Sequence, residues 1–503
     1  MKFLIKPTEP FKIESDLLAV FLWEDPKNPW TDGAEKVDKY LSGMIKSLTN
    51  LEDFEGREGK ILYLNTHGKI PSRQVGLVGL GKKERFSLYV LRKVGASLAR
   101  LASEKAAKRL AISLPPEWFK DFEGEELSQA IVEGVALGSY KFLKYKTDRE
   151  KEKKRQIEEI YLLSSAPRLS SLEKGQRLGE IFSQATIFAR DLVNEPSSVT
   201  TPTFLADLAC KLAKNNGFNC KVYEKEEIRK LGMGAFLAVA QGTEEPPKFI
   251  RLEYNPPSLK LRRARKIVLV GKGITFDTGG LSLKKQEDME TMKMDMAGAA
   301  AILGIFSVIK ALEPEAHVIG LIPATENMPS GRAIKPGDVV SAADSKTIEI
   351  VNTDAEGRLT LADALSIGAR EKPQVMIDLA TLTGACIVAL GEEIAGLFST
   401  DETLGREIQR AAEATGEKLW LMPLAEEYKE FLKSEVADLK NVSGKKYGGA
   451  ITAALFLKEF VNGVPWVHLD IAGPAWEEKG TDLIPHGGSG FGARTILKFL
   501  MNL

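Results

Sequence analysis

The first third of the chain alternates short apolar runs with stretches of helical spacing. Apolar runs of strand length occupy residues 16–23, 60–64 and 75–80, and such runs between turn-forming residues are typical of β-strands. Residues 33–47 and 86–102 carry apolar side chains three and four positions apart, which predicts amphipathic helices. Strands that alternate with helices pack as a mainly parallel sheet covered by helices. The pattern therefore predicts a small α/β domain at the start of the chain.

A long helical pattern separates this first part from the rest of the chain. Residues 170–191 repeat apolar positions at helical spacing, after a strand predicted at residues 156–163 and a serine-rich stretch that contains a proline. The pattern ends before Pro196, because the residue that precedes a proline is biased away from helical backbone angles. We therefore predict three parts, namely an N-terminal α/β domain, a connecting helix and a larger domain, over residues 1–169, 170–193 and 194–503.

Five short apolar runs in the larger part lack the alternation of a strand with one solvated face. They lie at residues 266–270, 317–323, 347–351, 375–379 and 467–471. Continuous apolar runs of this length are typical of strands that are buried on both faces, as in the parallel sheets of α/β proteins. We expect them to form one central, mostly parallel sheet. The predicted fold is thus α/β, with two domains joined by a helix.

Composition and charge exclude some classes of protein. Of the 503 residues, 44% are hydrophobic and 27% are charged, which is ordinary for globular proteins and argues against a largely disordered chain. Lys plus Arg and Asp plus Glu both number 69, and this balance excludes a globally basic nucleic-acid-binding protein. Residues 141–155 carry eight basic and three acidic side chains. We interpret this run as a solvated connector, with a nucleic-acid or partner surface as the alternative.

Cysteine content and the lengths of apolar runs bear on location. The three cysteines, Cys210, Cys220 and Cys386, cannot complete an even set of disulfides, which favours a reduced, intracellular protein. Lys6 and Pro7 interrupt the N-terminus where a signal peptide is apolar. The apolar runs are much shorter than the ~20 residues that cross a bilayer. We therefore expect a cytoplasmic protein with no membrane partner.

A glycine-rich turn after a predicted buried strand carries the first group of charged candidates. The stretch VGKGITFDTGG at residues 270–280 contains Lys272 and Asp277, and Lys284 follows soon after. In parallel sheets, ligands bind at the carboxyl ends of strands, where such loops emerge. This stretch is therefore a candidate for one wall of a binding site.

Two further stretches add carboxylates in apolar surroundings. In MKMDMAGAAA, Asp295 lies near the start of an apolar helix, where a carboxylate either complements the helix dipole or binds a cation. The stretch NTDAEGRL follows a predicted strand and precedes an apolar helix. If the chain is extended there, residues two apart point the same way. We therefore expect Asp354, Glu356 and Arg358 to share one face.

Taken together, Asp277, Asp295, Asp354 and Glu356 bring four negative charges to a partly buried place. Like charges this close raise one another's pKa unless positive charge lies between them, and two divalent cations supply the matching charge. Carboxylate ligands suit hard or borderline ions such as Mn²⁺, Mg²⁺ or Zn²⁺. None of the four histidines lies in these stretches, which excludes a zinc site of the H-E-x-x-H type.

These motifs resemble those of a known family. GKGITFDTGG, MKMDMAGAA and NTDAEGRL, in this order and spacing, are similar to motifs of the leucyl (cytosol) aminopeptidase family, the M17 metallopeptidases. NTDAEGRL is the family's signature octapeptide, and the likeness extends over residues 185–503. The resemblance implies an aminopeptidase that removes N-terminal residues from peptides, with leucine and other apolar residues preferred.

The resemblance also implies how the metal ions are held. Two divalent ions per subunit, Mn²⁺ or Zn²⁺, would share one set of five ligands, Lys272, Asp277, Asp295, Asp354 and Glu356. Asp277 and Glu356 would bridge the two ions. Lys272 would have to bind as a neutral amine, which two adjacent cations favour by lowering its pKa.

Catalytic and substrate-binding roles follow from the same resemblance. Lys284 would remain protonated and stabilise the oxyanion that forms from the substrate carbonyl. Arg358 would hold a small anion such as bicarbonate, because the planar guanidinium grips carboxylate-like oxygens in pairs. The pocket for the first side chain and its backbone would be lined by Met292, Thr381, Leu382 and Gly384.

The resemblance further implies a homohexamer, and two alternative functions stay open at this point. One is a dimetal phosphoesterase that uses the same carboxylates, which would need further histidine or asparagine ligands. The other is a binding protein in which this fold serves as a DNA-binding or regulatory scaffold, as a second role or in place of catalysis. The balanced charge of the chain gives the DNA-binding alternative no support.

Overall fold

The chain divides into two units, which are described separately. The computed structural model describes residues 1–153, 155–164, 169–256 and 265–503. The first unit comprises Met1–Ser183 and Gly480–Pro485, and the second comprises Gln184–Lys479 and His486–Leu503. The dividing point falls inside one helix, Leu169–Asn194. Residue 154 of the basic run and residues 165–168 of the serine-rich stretch lie outside the described residues.

A six-stranded sheet forms the centre of the first unit. In chain order its strands are β1 (Lys2–Lys6), β2 (Leu17–Leu22), β3 (Ile61–Asn65), β4 (Gln74–Gly79), β5 (Arg109–Ser113) and β6 (Glu159–Leu163). Their spatial order is β1-β6-β5-β2-β4-β3. Only the edge pair β3–β4 runs antiparallel among the described pairs. This arrangement confirms the predicted parallel α/β layout.

Helices pack on both faces of this sheet, because its strands are apolar on both sides. The helices of this part of the chain are α1 (Asp32–Tyr40), α2 (Met44–Leu51), α3 (Leu88–Glu104), α4 (Gly124–Gly138), α5 (Arg149–Lys153) and α6 (Leu169–Asn194). Helices α1 and α2 pack on one face of the sheet, and α3 and α4 pack on the other. One prediction here was wrong, since residues 33–47 form two helices rather than one. The chain turns between α1 and α2 at Ser42 and Gly43, whose φ angles of 56° and 79° lie in the left-handed region that breaks a helix.

The second unit contains a larger mixed sheet and two small ones. In chain order its strands are β7 (Asn219–Tyr223), β8 (Lys248–Tyr254), β9 (Arg265–Gly271), β10 (Gly273–Asp277), β11 (Ala316–Asn327), β12 (Val339–Ser341), β13 (Thr347–Glu349), β14 (Val375–Ala380), β15 (Ile394–Ser399), β16 (Lys418–Leu421), β17 (Leu439–Lys440), β18 (Trp466–Asp470), β19 (Trp476–Glu477) and β20 (Gly487–Gly488). The main sheet has the order β16-β15-β18-β14-β9-β11-β8-β7, and β10 also pairs with β11. Its centre, β18-β14-β9-β11, is parallel throughout.

One predicted strand does not join the main sheet. The run at residues 347–351 was expected among the central strands, but β13 pairs with β12 and β17 in a separate three-stranded sheet. The strand also ends at Glu349, so the residues after it are not extended. Asn352 Oδ1 accepts a hydrogen bond from the Asp354 backbone N–H at 2.8 Å, which closes a turn directly before the next helix. A polar side chain that bonds its own backbone two residues on ends a strand in this way.

Helices flank the main sheet and bring further chain to its carboxyl edge. They are α7 (Pro202–Asn216), α8 (Lys225–Lys230), α9 (Gly234–Val239), α10 (Gln286–Met289), α11 (Ala297–Leu312), α12 (Glu356–Arg370), α13 (Gly384–Leu390), α14 (Glu402–Thr415), α15 (Gly449–Lys458) and α16 (Ala493–Met501). Helix α11 approaches the ends of β9 and β14 very closely. A Cβ atom on its Gly298 would lie 2.0 Å from the Leu379 carbonyl oxygen and 2.9 Å from the Lys272 nitrogen. Glycine therefore allows this helix to meet the strand ends that carry the candidate residues.

Helix α11 also belongs to the one stretch, among the described residues, that is long and apolar enough to cross a membrane. That stretch is Gln286–Leu312, with a mean hydropathy of 1.7 in its most apolar window, and 78% of the window is buried inside the fold. An apolar helix with this burial is typical of a protein core.

A buried polar network ties β14 to β18 beneath the carboxyl edge. Asp378 Oδ1 lies 2.6 Å from His468 Nδ1, and Trp466 Nε1 donates to Asp378 Oδ2 at 2.7 Å. Burial lowers the pKa of His468, but the Asp378 carboxylate outweighs burial, and the pKa lies above its ordinary value. The pair adds a charge-assisted contact to the hydrogen bonds of these neighbouring strands.

Candidate active site

The candidate residues meet at the carboxyl edge of the main sheet in the second unit. Lys272 follows β9, Asp277 ends β10, and Thr381 follows β14. Asp295 lies in the turn that leads into α11, and Glu356 is the first residue of α12. Because parallel strands end at the same edge of a sheet, residues far apart in sequence converge there.

The Lys272 ammonium group organises one half of the site. Its Nζ lies 2.8 Å from Asp295 Oδ1 and 2.9 Å from Glu356 Oε1, and it donates to the Thr381 carbonyl at 2.9 Å. The side chains of Lys272, Asp295 and Glu356 are 3–5% exposed. Thr381 Oγ1 also donates to Asp295 Oδ1 at 2.7 Å. A buried cation thus holds one carboxylate from the turn before α11 and one from the start of α12.

The Lys284 ammonium group organises the other half. Its Nζ lies 2.9 Å from Asp277 Oδ2 and 2.5 Å from Asp354 Oδ1. Asp277 is buried, whereas Lys284 and Asp354 are partly open, with side chains 16% and 31% exposed. This half therefore faces the mouth of the site, and the Lys272 half forms its floor.

Electrostatics couple the two halves. Burial, with repulsion from Glu356, raises the pKa of Asp277 to about 6, and burial raises the pKa of Asp295 as well. Burial also opposes charge on Glu356, but the Lys272 and Lys284 ammonium groups outweigh it and lower the pKa of Glu356. The facing carboxylates in turn outweigh the burial of both lysines and raise their pKa values. Both lysines are therefore cations that balance the acidic cluster.

The donor atoms fit divalent cations. Carboxylate oxygens of Asp277, Asp354 and Glu356 lie within 4.8 Å of one another, close enough to share a cation. Asp295 Oδ2 is buried and accepts no hydrogen bond in the part of the chain that the structure describes, although buried polar atoms nearly always find a partner. Carboxylate oxygens suit Mg²⁺, Mn²⁺ and Zn²⁺, and a bound cation would satisfy that oxygen.

Arg358 lies within the first turn of α12 and not on an extended face, so the predicted strand-like alternation of Asp354, Glu356 and Arg358 was wrong. The turn at Asn352 ends the extended chain before these residues. Burial lowers the pKa of Arg358 to about 10, which leaves the guanidinium charged at neutral pH. Its Nη1 donates to the Asn441 carbonyl at 2.8 Å, while its buried Nε has no hydrogen-bond partner among the described residues.

All of the candidate residues line one cavity of about 590 Å³. The sequence-predicted residues that it brings together are Lys272, Asp277, Lys284, Met292, Asp295, Asp354, Glu356, Arg358, Thr381, Leu382 and Gly384. Ile387 and Ala472 also line the cavity and, with Met292 and Leu382, supply apolar surface. The cavity therefore combines an acidic floor with an apolar side. Such a lining suits a ligand that carries a polar group next to an apolar one.

Asn327 was not among the predicted site residues, although it reaches the acidic cluster from the end of β11. Its Nδ2 donates to Asp277 Oδ1 at 2.8 Å and to the Thr353 carbonyl at 3.1 Å, and it lies 3.5 Å from Glu356 Oε2. The apolar run that marked this strand stops at residue 323, and the polar residues beyond it gave no strand signal. An asparagine at the end of a strand carries no sequence pattern of its own.

Asp470, at the end of β18, was also missed. Its Oδ1 accepts hydrogen bonds from the backbone N–H groups of Leu382 at 3.2 Å and Thr383 at 3.4 Å, and its Oδ2 accepts from Thr383 Oγ1 at 2.6 Å. These bonds fix the loop between β14 and α13, which forms part of the cavity wall. The residue lies in HLDIAG, a stretch that the sequence pattern marked only as a buried strand.

Comparison with known proteins bears on this arrangement. Residues 187–497 match the catalytic domain of the cytosol aminopeptidase family, and residues 19–149 match the N-terminal domain of the same family. The chain belongs to the cytosol aminopeptidase family. Among curated relatives of this aminopeptidase, the probable cytosol aminopeptidase of Alkaliphilus metalliredigens is 43% identical over 504 residues and that of Thermosynechococcus vestitus is 45% identical over 508 residues. Each alignment covers 100% of both chains.

Two solved structures are similar to the structure of this aminopeptidase over nearly the whole chain. A variant of tomato leucine aminopeptidase superposes with a TM-score of 0.90 at 36% identity, covering 100% of this chain and 97% of that one. The bottromycin maturation enzyme BotP in complex with Mn superposes with a TM-score of 0.84 at 34% identity, covering 97% and 99%. The predicted two-domain α/β fold is thereby confirmed.

Family membership also decides the class of reaction. The protein is a metal-dependent aminopeptidase, a hydrolase that acts on the N-terminal peptide bond of peptide substrates. The phosphoesterase alternative finds no support, because the matched families and relatives are described as aminopeptidases. The acidic cluster at the carboxyl edge supplies carboxylates that this metal-dependent reaction can use.

Proposed function

We propose that this aminopeptidase removes leucine and other apolar residues from peptide N-termini with two divalent ions, Mn²⁺ or Zn²⁺, in one cavity. The observation that carries the proposal is the division of the acidic cluster into two halves, each with its own buried or half-buried cation. Lys284 faces Asp277 and Asp354, and Lys272 faces Asp295 and Glu356. Each lysine ammonium occupies a position between two carboxylates, and these are two positions at which a cation is stabilised.

The proposed ligands follow from that division. Asp277 and Glu356 would contribute to both sites, Asp354 to the first, and Lys272 and Asp295 to the second. Lys272 would have to lose its proton to bind as an amine, since an ammonium group has no lone pair. When bound, the ions would act as Lewis acids on a water molecule and on the substrate carbonyl.

Lys284 is the proposed electrophilic catalyst. Its ammonium group stays charged because carboxylates raise its pKa, and its side chain is 16% exposed at the mouth of the cavity. With a cation held by Asp277 and Asp354, the Lys284 ammonium would be available to bind the carbonyl oxygen of the substrate. A charged donor aimed at a developing oxyanion stabilises the transition state more than the ground state.

Arg358 is the proposed holder of a small anion such as bicarbonate, which would accept a proton from the attacking water. Support comes from its buried guanidinium, whose Nε has no partner among the described residues. The neighbouring Nη1 is already bound to the Asn441 carbonyl, so the side chain is fixed in place. An anion with two oxygens matches the remaining donors of a planar guanidinium.

The proposed specificity rests on the two characters of the cavity. A free N-terminal amine fits the acidic floor, where Asp295 and Glu356 are buried. Met292 and Leu382 are half-buried on the apolar side, and methionine adapts its shape to varied apolar groups. Thr381 and Gly384 would contact the backbone of the substrate. Together these features favour an apolar first residue with a free amine.

We also propose that the protein is a cytoplasmic homohexamer, as the family resemblance implies. Large apolar side chains on the second unit support contacts between copies, since Val388, Trp420 and Leu421 are exposed by 90%, 61% and 51%. Light scattering should then give the mass of six chains.

The neutral overall charge gives no support for a second role in DNA binding.

The requirement for a free amine tests the proposed function. A peptide with an N-terminal leucine should lose single residues in order, whereas its N-acetylated twin should not be cleaved. Acetylation removes the basic amine and adds bulk beside Asp295. Mass spectrometry over time on a mixed-sequence peptide and its twin checks this. Internal cuts, or comparable rates for the two peptides, would exclude the proposal.

The Lys284→Ala variant tests the catalytic role. We expect kcat to fall by ~10²–10³-fold, with KM little changed and bound metal at the parental level, because the ammonium acts on the transition state. The exposed Lys335 offers a control, and Lys335→Ala should keep parental kinetics. A loss confined to KM would show that Lys284 only binds substrate.

A further inference from the structure

Asn327 lies where the two halves of the acidic cluster meet. It is the last residue of β11, is 2% exposed, and directs its amide Nδ2 between Asp277 and Glu356. These are the two carboxylates that the proposed function shares between both metal ions. The two N–H protons of the Asn327 amide reach Asp277 Oδ1 at 2.8 Å and the Thr353 carbonyl at 3.1 Å, and Glu356 Oε2 lies 3.5 Å away, so one amide group faces both carboxylates.

The amide also divides the carboxylate oxygens into two sets. Asn327 contacts Asp277 Oδ1 and Glu356 Oε2, and the Gly279 backbone N–H donates to the same Asp277 oxygen at 2.8 Å. The other oxygens, Asp277 Oδ2 and Glu356 Oε1, each lie 2.9 Å from a lysine ammonium. The amide side of the cluster therefore carries N–H donors, and the opposite side faces the cations.

Asn327 is itself held firmly. Its backbone carbonyl accepts from the Thr278 N–H at 3.0 Å and from Thr278 Oγ1 at 2.7 Å, next to the strand pairing of Asp277 with Asn327. Gly280 has a φ angle of +65°, and a Cβ atom there would lie 2.8 Å from Asn327 Oδ1. The absence of a side chain at Gly280 leaves room for the Asn327 amide, and Thr278 holds the Asn327 backbone.

We propose that Asn327 is a positioning residue that fixes which oxygens of Asp277 and Glu356 face two divalent cations. The inference rests on the proposed ligand set. Hydrogen bonds that orient metal-binding side chains from outside contribute strongly to metal affinity.

The chemistry of the amide explains why asparagine suits this position. The amide donates to Asp277 and presents its positive N–H edge to Glu356, and it reduces the repulsion between the two carboxylates without adding charge. A lysine here would compete with metal ions for the same oxygens, and an aspartate would add a fifth negative charge without a donor. A hydrophobic residue would leave two buried carboxylate oxygens with fewer partners, at a cost in stability.

Metal titration of two variants tests the proposal. Asn327→Ala removes the amide, and Asn327→Leu removes its donors while keeping the number and branching of its side-chain heavy atoms. The test needs only one of the two variants to fold. We expect Mn²⁺ alone, titrated into metal-free protein by calorimetry, to bind about 10–100-fold more weakly to both variants. The control is Asn216→Ala, which removes an amide bonded to the Leu212 carbonyl on α7 and should bind like the parent.

A merely structural role has a different signature. It would lower the unfolding temperature of the metal-free variants and leave the Mn²⁺ affinity of the folded protein at the parental value, and that result would overturn the proposal. Glu356→Ala, titrated in parallel, separates this failure from failure of the proposed function. If Glu356→Ala loses an ion while the Asn327 variants bind normally, only the positioning role is wrong. If Glu356→Ala binds two ions like the parent, the ligand set is wrong and the role of Asn327 falls with it.

Discussion

Four carboxylates at one edge of a parallel sheet need positive charge beside them, and the site is built around that need. Like charges in a medium of low polarity repel strongly unless cations separate them. In this protein the Lys272 and Lys284 ammonium groups meet the need, at 2.5–2.9 Å from their partners. The same demand makes the cluster attractive to divalent metal ions. In the proposed function, the metal ions of this aminopeptidase bind where the fold has concentrated negative charge.

The fold concentrates the negative charge by bringing the ends of several strands together. Strands β9, β10 and β14 end at the same edge, and α12 begins there with Glu356. The glycine at position 298 lets α11 approach the strand ends, where a side chain would collide with the Leu379 carbonyl. Asp470 fixes the loop between β14 and α13, and Asn327 donates a hydrogen bond to Asp277. Stability and function are linked at this edge, because the residues that shape it also hold the charged groups.

Much of the site could be predicted from sequence, because its residues lie in motifs. Lys272, Asp277, Asp354 and Glu356 stand in glycine-rich or polar stretches next to apolar strands, and the charged residue in an apolar setting is itself the signal. The cavity contains every residue that these motifs indicated. The local conformation was harder to predict, since Glu356 begins a helix where alternation suggested extended chain. The turn at Asn352 depends on its side-chain hydrogen bond with the Asp354 N–H and on hydrogen bonds between the Asn441 side chain and the backbone of Val351 and Asn352.

Other features depend on tertiary contacts that leave no local pattern. Asn327 stands several residues beyond the apolar run of its strand, and its importance comes from the register that pairs β10 with β11. Residues 347–351 were predicted as a central strand, yet β13, in which Thr347 and Glu349 flank the apolar Ile348, joins a small separate sheet. The break at Gly43 is visible in sequence only as one glycine in a helical pattern. In each case the partner in space, rather than the neighbour in sequence, decides the outcome.

The charge balance can be measured directly by thermal unfolding of metal-free protein. Lys272→Met removes one buried cation and leaves its carboxylate partners uncompensated, while Lys335→Met changes an exposed lysine as a control. The account predicts that Lys272→Met lowers the free energy of unfolding by about 3–5 kcal/mol above neutral pH. The deficit should shrink as the pH falls towards about 6, because loss of the Lys272 cation raises the pKa of the carboxylates around it, which then take up protons above the pH at which Asp277 does so in the parent. An unfolding temperature equal to that of Lys335→Met, or a deficit that does not change with pH, would contradict the account.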